Sequence, residues 1–120
     1  MIAVADAARL PLPDASVDLT VTSPPYGDLT TYNGFTFDFE SIARELYRVT
    51  KPGGAIIWVV GDETKNGSES GESFRQALYF KSIGLNLHDT MIYEKDGFRF
   101  PRPNAYHNIF EYMFVFSKGT

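Results

Sequence analysis

The sequence of 120 residues has no cysteine and only two histidines, and this limits the chemistry that it can carry. Without cysteine, the chain cannot form a disulfide scaffold, a thiolate metal site or a cysteine nucleophile. His88 and His107 have no second histidine at ligand spacing, so a zinc site is not expected either. We therefore predict that the protein binds no metal.

Long apolar runs and an excess of positive charge are also missing. The longest apolar run, residues 55–60, is far too short to cross a bilayer, so we expect no membrane partner. No basic and apolar leader opens the chain, which predicts a cytoplasmic protein. The formal net charge of −4 argues against a stand-alone clamp for duplex DNA, because phosphate binding requires an excess of lysine and arginine. An enzyme that touches nucleic acid through one local face agrees with this charge.

The composition is otherwise that of a small folded domain. Apolar residues make up 43% of the chain and aromatic residues 15%, which is enough to fill a core. The length fits one domain, so we treat residues 1–120 as a single unit.

Two segments have the spacing of amphipathic helices. The first follows Asp38, a typical N-cap, and its apolar residues recur at helical spacing as far as Val49. Lys51 is predicted in its last turn, and Pro52-Gly53-Gly54 ends it. A second helix is predicted over residues 72–83. The residues predicted to face inward from it are Phe74, Ala77 and Leu78.

Buried strands alternate with these helices, and this order predicts a three-layer α/β sheet that is mostly parallel. The last two strands have no helix between them, so the final strand is predicted to be antiparallel. That strand has apolar residues on both faces, which favours a central position in the sheet. The predicted strands are residues 2–5, 17–22, 55–60, 87–94 and 109–116.

The motif Ser23-Pro24-Pro25-Tyr26 follows a predicted strand and opens a long loop. In a parallel sheet this is the carboxyl edge, where ligands bind. Two consecutive prolines have no N–H and a fixed φ, so the carbonyl groups here have set directions. A planar ring with an exocyclic amine suits such a slot. The hydroxyl of Ser23 and the carbonyl of Pro24 would each accept a hydrogen bond from an N–H group of the amine, and Tyr26 would stack on the ring.

Such an amine belongs to cytosine or adenine, and a base inside a duplex must be flipped out to reach the slot. Ser-Pro-Pro-Tyr is also common in ordinary loops and in polyproline ligands. Its position after a buried strand favours the catalytic interpretation.

Several motifs together resemble the amino-group DNA methyltransferases, in the permuted order called the β class. Ser23-Pro24-Pro25-Tyr26 is similar to their catalytic motif, in the Ser form more typical of N4-cytosine enzymes. The other matching runs are Ala5-Asp6, Leu12-Pro13-Asp14, Ser16-Val17-Asp18-Leu19, Glu45-Leu46-Tyr47-Arg48-Val49, Lys51-Pro52-Gly53-Gly54, Tyr93-Glu94-Lys95, and Phe110-Glu111-Tyr112-Met113-Phe114-Val115-Phe116-Ser117-Lys118.

The resemblance implies a bacterial or phage enzyme, typical of restriction-modification systems, that methylates DNA with S-adenosylmethionine. It implies N4 of cytosine as the target, with N6 of adenine or another amine as alternatives. It also implies that Asp6 and Ser23 bind the cofactor. The other interpretation of Asp6 is that it caps the next turn.

The family's Phe-x-Gly-x-Gly loop and target-recognition region have no counterpart here, so the resemblance covers a catalytic half only. A non-catalytic module, or half of a split enzyme, is therefore a second hypothesis. In the family's sheet, two strands separate the equivalents of residues 2–5 and 17–22. We accordingly expect an orphan first strand and an exposed apolar edge at residues 17–22. Such an edge would favour a homodimer or a strand-swapped oligomer.

Two further sets of residues are predicted to contact substrate. Asp28, Tyr32 and Asn33 lie in the loop after the motif, which we interpret as a lid over the flipped base. The second set, in which basic residues alternate with aromatic ones, is the predicted DNA-facing patch: Lys95, Arg99 and Arg102. A solvated loop is the alternative for it.

Two acidic residues are interpreted as structural rather than catalytic. Glu111 lies in an otherwise apolar strand, so a partner such as Arg48 or a backbone amide is expected. Asp62 follows a predicted strand and is interpreted first as a turn residue, with the rim of the active site as the alternative.

Overall fold

The computed structural model describes residues 2–24, 37–62, 64–95 and 110–119. A four-stranded sheet has the order β1 (Val17–Thr22), β2 (Thr50–Val60), β6 (Phe110–Lys118) and β5 (Leu85–Glu94). Two helices, α1 (Phe39–Val49) and α2 (Glu72–Ser82), accompany it. A small hairpin, β3 (Thr64–Lys65) and β4 (Ser68–Glu69), lies in the polar segment after β2.

The directions of the strands agree with the predicted fold class. β1 pairs with β2 in parallel, whereas β6 is antiparallel to both β2 and β5. Three strands of the described four-stranded sheet therefore point one way, and β6 runs against them. The predicted central position of that last strand is confirmed, because β6 lies between β2 and β5.

The core lies on one face of the sheet. Ile56, Trp58 and Val60 of β2 point into it together with Phe114 and Phe116 of β6. Residues of both helices join the same cluster, so α1 and α2 cover the same face. The described residues therefore form two of the predicted layers: the sheet and the helices on one side of it.

The opposite face of the sheet is apolar and incompletely covered. Leu19 and Val21 of β1 are 55% and 63% exposed, and Ile57 and Val59 of β2 are half-buried. Among the described strands β1 pairs only with β2, so it forms an edge of the sheet. The predicted exposed apolar edge at residues 17–22 is confirmed.

Residues 2–5 do not form the predicted first strand. No described strand pairs with them, and the side chains of Ile2 and Val4 are 99% and 103% exposed. An extended segment becomes a strand only when its N–H and C=O groups find a partner strand. Residues 2–5 have the apolar pattern of a strand, but no described strand pairs with them.

The helix α1 begins as predicted and ends earlier. The carboxylate of Asp38 accepts hydrogen bonds from the backbone and the hydroxyl of Ser41, as an N-cap should. The helix ends at Val49, and Lys51 lies in β2 instead of the last turn. Lys51 precedes Pro52, which disfavours helical backbone at that position.

The inward face of α2 differs from the predicted one. Phe74 and Leu78 are 50% and 65% exposed, whereas Ala77 is buried as expected. The residues that actually face the core are Ser73, Gln76, Ala77 and Phe80. Two of these are polar, so the apolar pattern alone pointed to the wrong side of the helix.

Candidate active site

Ser23 and Pro24 lie directly after β1, at the carboxyl edge of the parallel pair β1 and β2. Ser23 is exposed and Pro24 is buried. The other two predicted catalytic residues, Pro25 and Tyr26, lie outside the described residues. The structure therefore places half of the motif where the sequence predicts it.

A largely apolar cavity of about 500 Å³ opens beside Ser23 and Pro24. One wall is β1, another is α1, and a third is the segment of residues 7–12. Thr20, Thr22 and Ser23 supply polar groups at the strand side of the cavity. The apolar side chains that line it include Leu10, Leu12, Val17, Phe37, Ile42, Leu46 and Trp58.

Most of this lining was not predicted from the sequence. Residues 7–16 contain Leu10-Pro11-Leu12, and two large apolar residues in a short proline-rich segment were the available signal. Trp58 lies in the core at 1% exposure and also borders the cavity. Its indole N–H donates to the side-chain oxygen of Gln76 at 2.9 Å. The floor of the cavity is thus held by a buried hydrogen bond between the sheet and α2.

An ionic cluster fastens residues 10–14 to α1. Arg48 donates to both carboxylate oxygens of Glu45 at 2.7 Å, to Asp14 at 2.7 Å and to the carbonyl of Leu10 at 3.2 Å. The hydrogen bonds from Arg48 lower the pKa of Glu45 to about 2. The hydrogen bonds to the carboxylates of Glu45 and Asp14 raise the pKa of Arg48. The cluster fixes one wall of the cavity.

Asp6 acts locally in this structure. Its carboxylate accepts a hydrogen bond from the N–H of Ala8, and its carbonyl accepts one from the N–H of Arg9, both at 2.9 Å. These bonds match the turn-capping interpretation. Asp6 itself is exposed, and its neighbour Ala7 lines the cavity.

Asp62, interpreted from the sequence as a turn residue, bonds to the start of α2, whose N-cap is Gly71. Its carboxylate accepts hydrogen bonds from the backbone N–H of Ser73 at 2.9 Å and from the hydroxyl of Ser70 at 3.0 Å. The hydroxyl of Ser73 also bonds to it. These partners hold the first turn of the helix against the end of β2.

Glu111 is buried, at 8% exposure, and its ion-pair partner is Lys95. The Nζ atom of Lys95 lies 3.1 Å from the carboxylate. The suggested partner Arg48 is instead engaged on α1, so that suggestion is wrong. Lys95 and Glu111 both line a second cavity, of about 230 Å³, at the carboxyl edge.

The remaining residues that were predicted to contact substrate lie outside the described residues: Asp28, Tyr32, Asn33, Arg99 and Arg102. In the part of the chain that is described, no three His, Cys, Asp or Glu side chains come together as a metal site. No helix within the same residues has the length and apolar character to span a membrane.

Residues 17–120 match the model of the N6/N4 family of DNA methylases. The orphan methyltransferase M.BamHII of Bacillus amyloliquefaciens is 69% identical over 106 residues, which cover 88% of this chain and 40% of that protein. The type II methyltransferase M.BglII of Bacillus subtilis is 35% identical over 83 residues, which cover 63% of this chain and 23% of that protein. The chain thus spans less than half the length of either relative.

Solved structures share the fold. TTHA0409 of Thermus thermophilus, described as a DNA modification methylase and solved in complex with S-adenosyl-L-methionine, superposes with a TM-score of 0.76 at 25% identity. The match covers 98% of this chain and 54% of that one. The cytosine-N4-specific PvuII DNA methyltransferase superposes with a TM-score of 0.71 at 18% identity, over 95% of this chain and 47% of that one. The α/β arrangement seen here is the one found in these Rossmann-like methyltransferases.

Proposed function

Because this chain belongs to the N6/N4 family of DNA methylases, we propose that it carries the catalytic edge of a DNA methyltransferase that uses S-adenosylmethionine. The observation that carries the proposal is the position of Ser23 and Pro24. They end a parallel strand at the carboxyl edge and border a cavity of about 500 Å³. Ligands of open α/β sheets bind at this edge.

The cavity fits the adenosine part of the cofactor in size and in chemistry. Phe37, Ile42 and Leu12 supply apolar surface for a planar ring, and Thr22 and Ser23 supply hydroxyl groups beside it. The solved complex of TTHA0409 with S-adenosyl-L-methionine supports this choice of cofactor. When bound, the cofactor supplies an electrophilic methyl group. None of the described residues is assigned to its methionine part.

The chain's own residues would position the amine that is methylated. The hydroxyl of Ser23 and the carbonyl of Pro24 would accept hydrogen bonds from its two N–H groups, which frees the nitrogen lone pair for in-line attack on the methyl carbon. The bond from that carbon to sulfur would break as the N–C bond forms, and the amine would lose one proton to solvent. Pro24 is buried and its ring fixes φ, which restricts the backbone that carries this carbonyl. Tyr26 stacks on the base, which must leave the duplex to reach this edge.

We further propose N4 of cytosine as the target. The support is the Ser form of the motif at Ser23, which resembles the N4-cytosine enzymes more than the N6-adenine ones. N6 of adenine and an amine outside DNA are the two alternatives.

The test is methylation of unmodified DNA, with the modified nucleosides identified by mass spectrometry. N4-methylcytosine is expected, N6-methyladenine would overturn the choice of base, and modification of a non-DNA amine alone would overturn the DNA substrate. Ser23→Ala should remove most activity and leave cofactor binding intact. Ser82→Ala is the matched control, because Ser82 is an exposed serine at the far end of α2. If Ser23→Ala methylates at the normal rate, the slot is assigned wrongly.

A second candidate is half of a split enzyme that needs a complementary segment. The observation that favours it is the exposed edge strand β1, with Leu19 and Val21 on the uncovered face of the sheet. The chain also covers only 40% of M.BamHII. A homodimer or a strand-swapped oligomer would bury the same edge.

Calorimetry with S-adenosylmethionine on the 120-residue chain separates these candidates. Micromolar binding would show that the cofactor pocket is complete without a further segment. No binding at millimolar ligand, restored by adding the part of M.BamHII that this chain does not match, would establish the split half. Light scattering checks the oligomer, because a monomer at high concentration would contradict the dimer.

A further inference from the structure

The second cavity lies at the same edge of the sheet as Ser23 and has no part in the reaction proposed above. Val60 of β2 pairs with Tyr112 of β6, so the start of β6 lies beside the end of β2. The end of β5 pairs with Phe110, which brings Lys95 to the same place. β6 is two strand spacings, about 10 Å, from β1. A substrate held at Ser23 would therefore pass close to this cavity.

The polar lining of the cavity includes the ion pair of Lys95 and Glu111. Burying the carboxylate of Glu111 is costly, and the ammonium of Lys95 at 3.1 Å offsets that cost. An ammonium has three N–H donors and a carboxylate accepts several hydrogen bonds, so each can also bind a ligand. The pair presents a donor beside an acceptor at a fixed position.

The charges of the described lining residues disfavour a phosphate. Among these residues, Asp62, Glu69 and Glu111 contribute three carboxylates and Lys95 one ammonium. Lys95 is already paired with Glu111, so its charge is largely compensated. The cavity therefore suits a neutral ligand with hydrogen-bonding groups better than an anion.

The remaining walls are aromatic. The rings of Phe110 and Tyr112 lie 5.4 Å apart and nearly perpendicular, at 87°. Tyr112 also stacks on Phe114 at 5.5 Å and 6°, which holds its ring in place. Aromatic side chains at such a position favour stacking with unpaired bases. A volume of about 230 Å³ is below that of pockets for drug-sized ligands, about 300–1,000 Å³, and fits a single ring system.

We propose that this cavity binds an unpaired nucleobase that neighbours the methylated base. Glu111 accepts a hydrogen bond from the exocyclic amine, and Lys95 donates one to the ring nitrogen or carbonyl beside that amine. Tyr112 contacts the face of the ring. Cytosine and adenine both offer a donor next to an acceptor on one edge. The inference rests on the proposed function, in that it takes DNA as the substrate.

The test is a nuclear magnetic resonance titration of the chain with nucleosides. Cytidine should shift the backbone amide signals of Gly61, Asp62 and Glu111. Pyrimidin-2-one riboside, which is cytidine without its amino group, should bind about tenfold more weakly because Glu111 then loses its donor. Inorganic phosphate should leave these signals in place. Equal binding of both nucleosides, or shifts caused by phosphate, would overturn the proposal.

Two variants and one control test the cavity. Lys95→Met changes an exposed side chain and should weaken cytidine binding about tenfold. Gly61→Ala keeps all charges and adds a methyl group 3.7 Å from Glu111, which should also weaken binding. Lys51→Met is the matched control, because Lys51 is a half-exposed lysine paired with Asp18 away from this cavity. If Lys95→Met binds cytidine as well as Lys51→Met does, the site is assigned wrongly.

The two proposals fail in different ways. Ser23→Ala removes methylation under the proposed function and should leave the shifts at Gly61 and Glu111 unchanged. An absence of those shifts in a chain that supports methylation would overturn the second base site alone. Shifts that persist in a chain whose complete enzyme does not methylate DNA would overturn the proposed function alone.

Discussion

The backbone N–H of Leu10 donates a hydrogen bond at 2.6 Å to the carboxylate of Glu45, 35 residues later in the chain. Leu10 lines the cavity beside Ser23, and Glu45 lies on α1. Arg48 completes the link by bonding to Glu45 and to the carbonyl of Leu10. The pair of Glu45 and Arg48 thus holds one wall of the candidate cofactor site. Protonation of Glu45 should therefore lower the stability of the fold.

Stability should fall in acid through Glu45. Its pKa is lowered from 4.5 to about 2, chiefly by the hydrogen bonds from Arg48. A lowered pKa in the folded state contributes stability that is present above pH 4.5 and is lost as the pH falls towards 2. Glu45→Gln should therefore be less stable than the parent at pH 7 and nearly equal to it at pH 2.

Urea unfolding at a series of pH values measures this difference. Asp38 also has a lowered pKa, because Ser41 bonds to its carboxylate, so the parent curve includes both groups. Glu40→Gln is the matched control on the same helix, since Glu40 is 66% exposed and 3.8 Å from Arg44. If the free energies of unfolding of the parent and of Glu45→Gln depend on pH in the same way, the lowered pKa of Glu45 is contradicted.

The buried pair of Trp58 and Gln76 should show strong coupling. Gln76→Leu leaves the indole N–H without an acceptor in the core, at a cost of about 1–3 kcal/mol. Trp58→Phe leaves the amide unpartnered in the same way. The double variant should cost less than the sum, with a coupling of about 0.5–3 kcal/mol. Additive losses in a denaturant double-mutant cycle would show that the hydrogen bond contributes little.

The inward face of α2 can be tested by truncation. Phe80 is fully buried among Trp58, Phe39 and Phe116, so Phe80→Ala should destabilise the chain by about 3–5 kcal/mol. Leu78 is 65% exposed, and Leu78→Ala should change stability by about 0.5 kcal/mol or less. Thermal unfolding of both variants decides between the faces. If Leu78→Ala loses more stability than Phe80→Ala, the helix face predicted from the apolar pattern is the buried one.

Gly54 should tolerate no side chain. A Cβ atom there would lie 2.8 Å from the methyl of Thr50 and 3.0 Å from the carbonyl oxygen of Asp18 on β1. The backbone contact cannot relax without moving the β1–β2 pair, so Gly54→Ala should cost about 1–3 kcal/mol. In Gly61→Ala the nearest contact is an ordinary 3.7 Å, and this variant serves as the control. Equal unfolding midpoints for the two variants would contradict the close approach.

Local signals predicted much of the fold because they report on chemistry within a few residues. The Asp38 cap, the end of a strand before Ser23-Pro24 and the central last strand all follow from nearby residues. The position of Ser23 at a carboxyl edge follows from the parallel pairing of β1 with β2. The cavity beside it was not predicted, because Leu10 and Phe37 meet there only after the chain folds.

The sequence by itself determined the types of element, the place of the motif and the family resemblance that its motifs carry. The tertiary structure decided which face of α2 is buried, that residues 2–5 pair with no described strand, and that Glu111 meets Lys95 instead of Arg48. The reason is physical. Caps, turns and periodicity act between neighbours in sequence, whereas strand pairing and burial of charge depend on partners far along the chain.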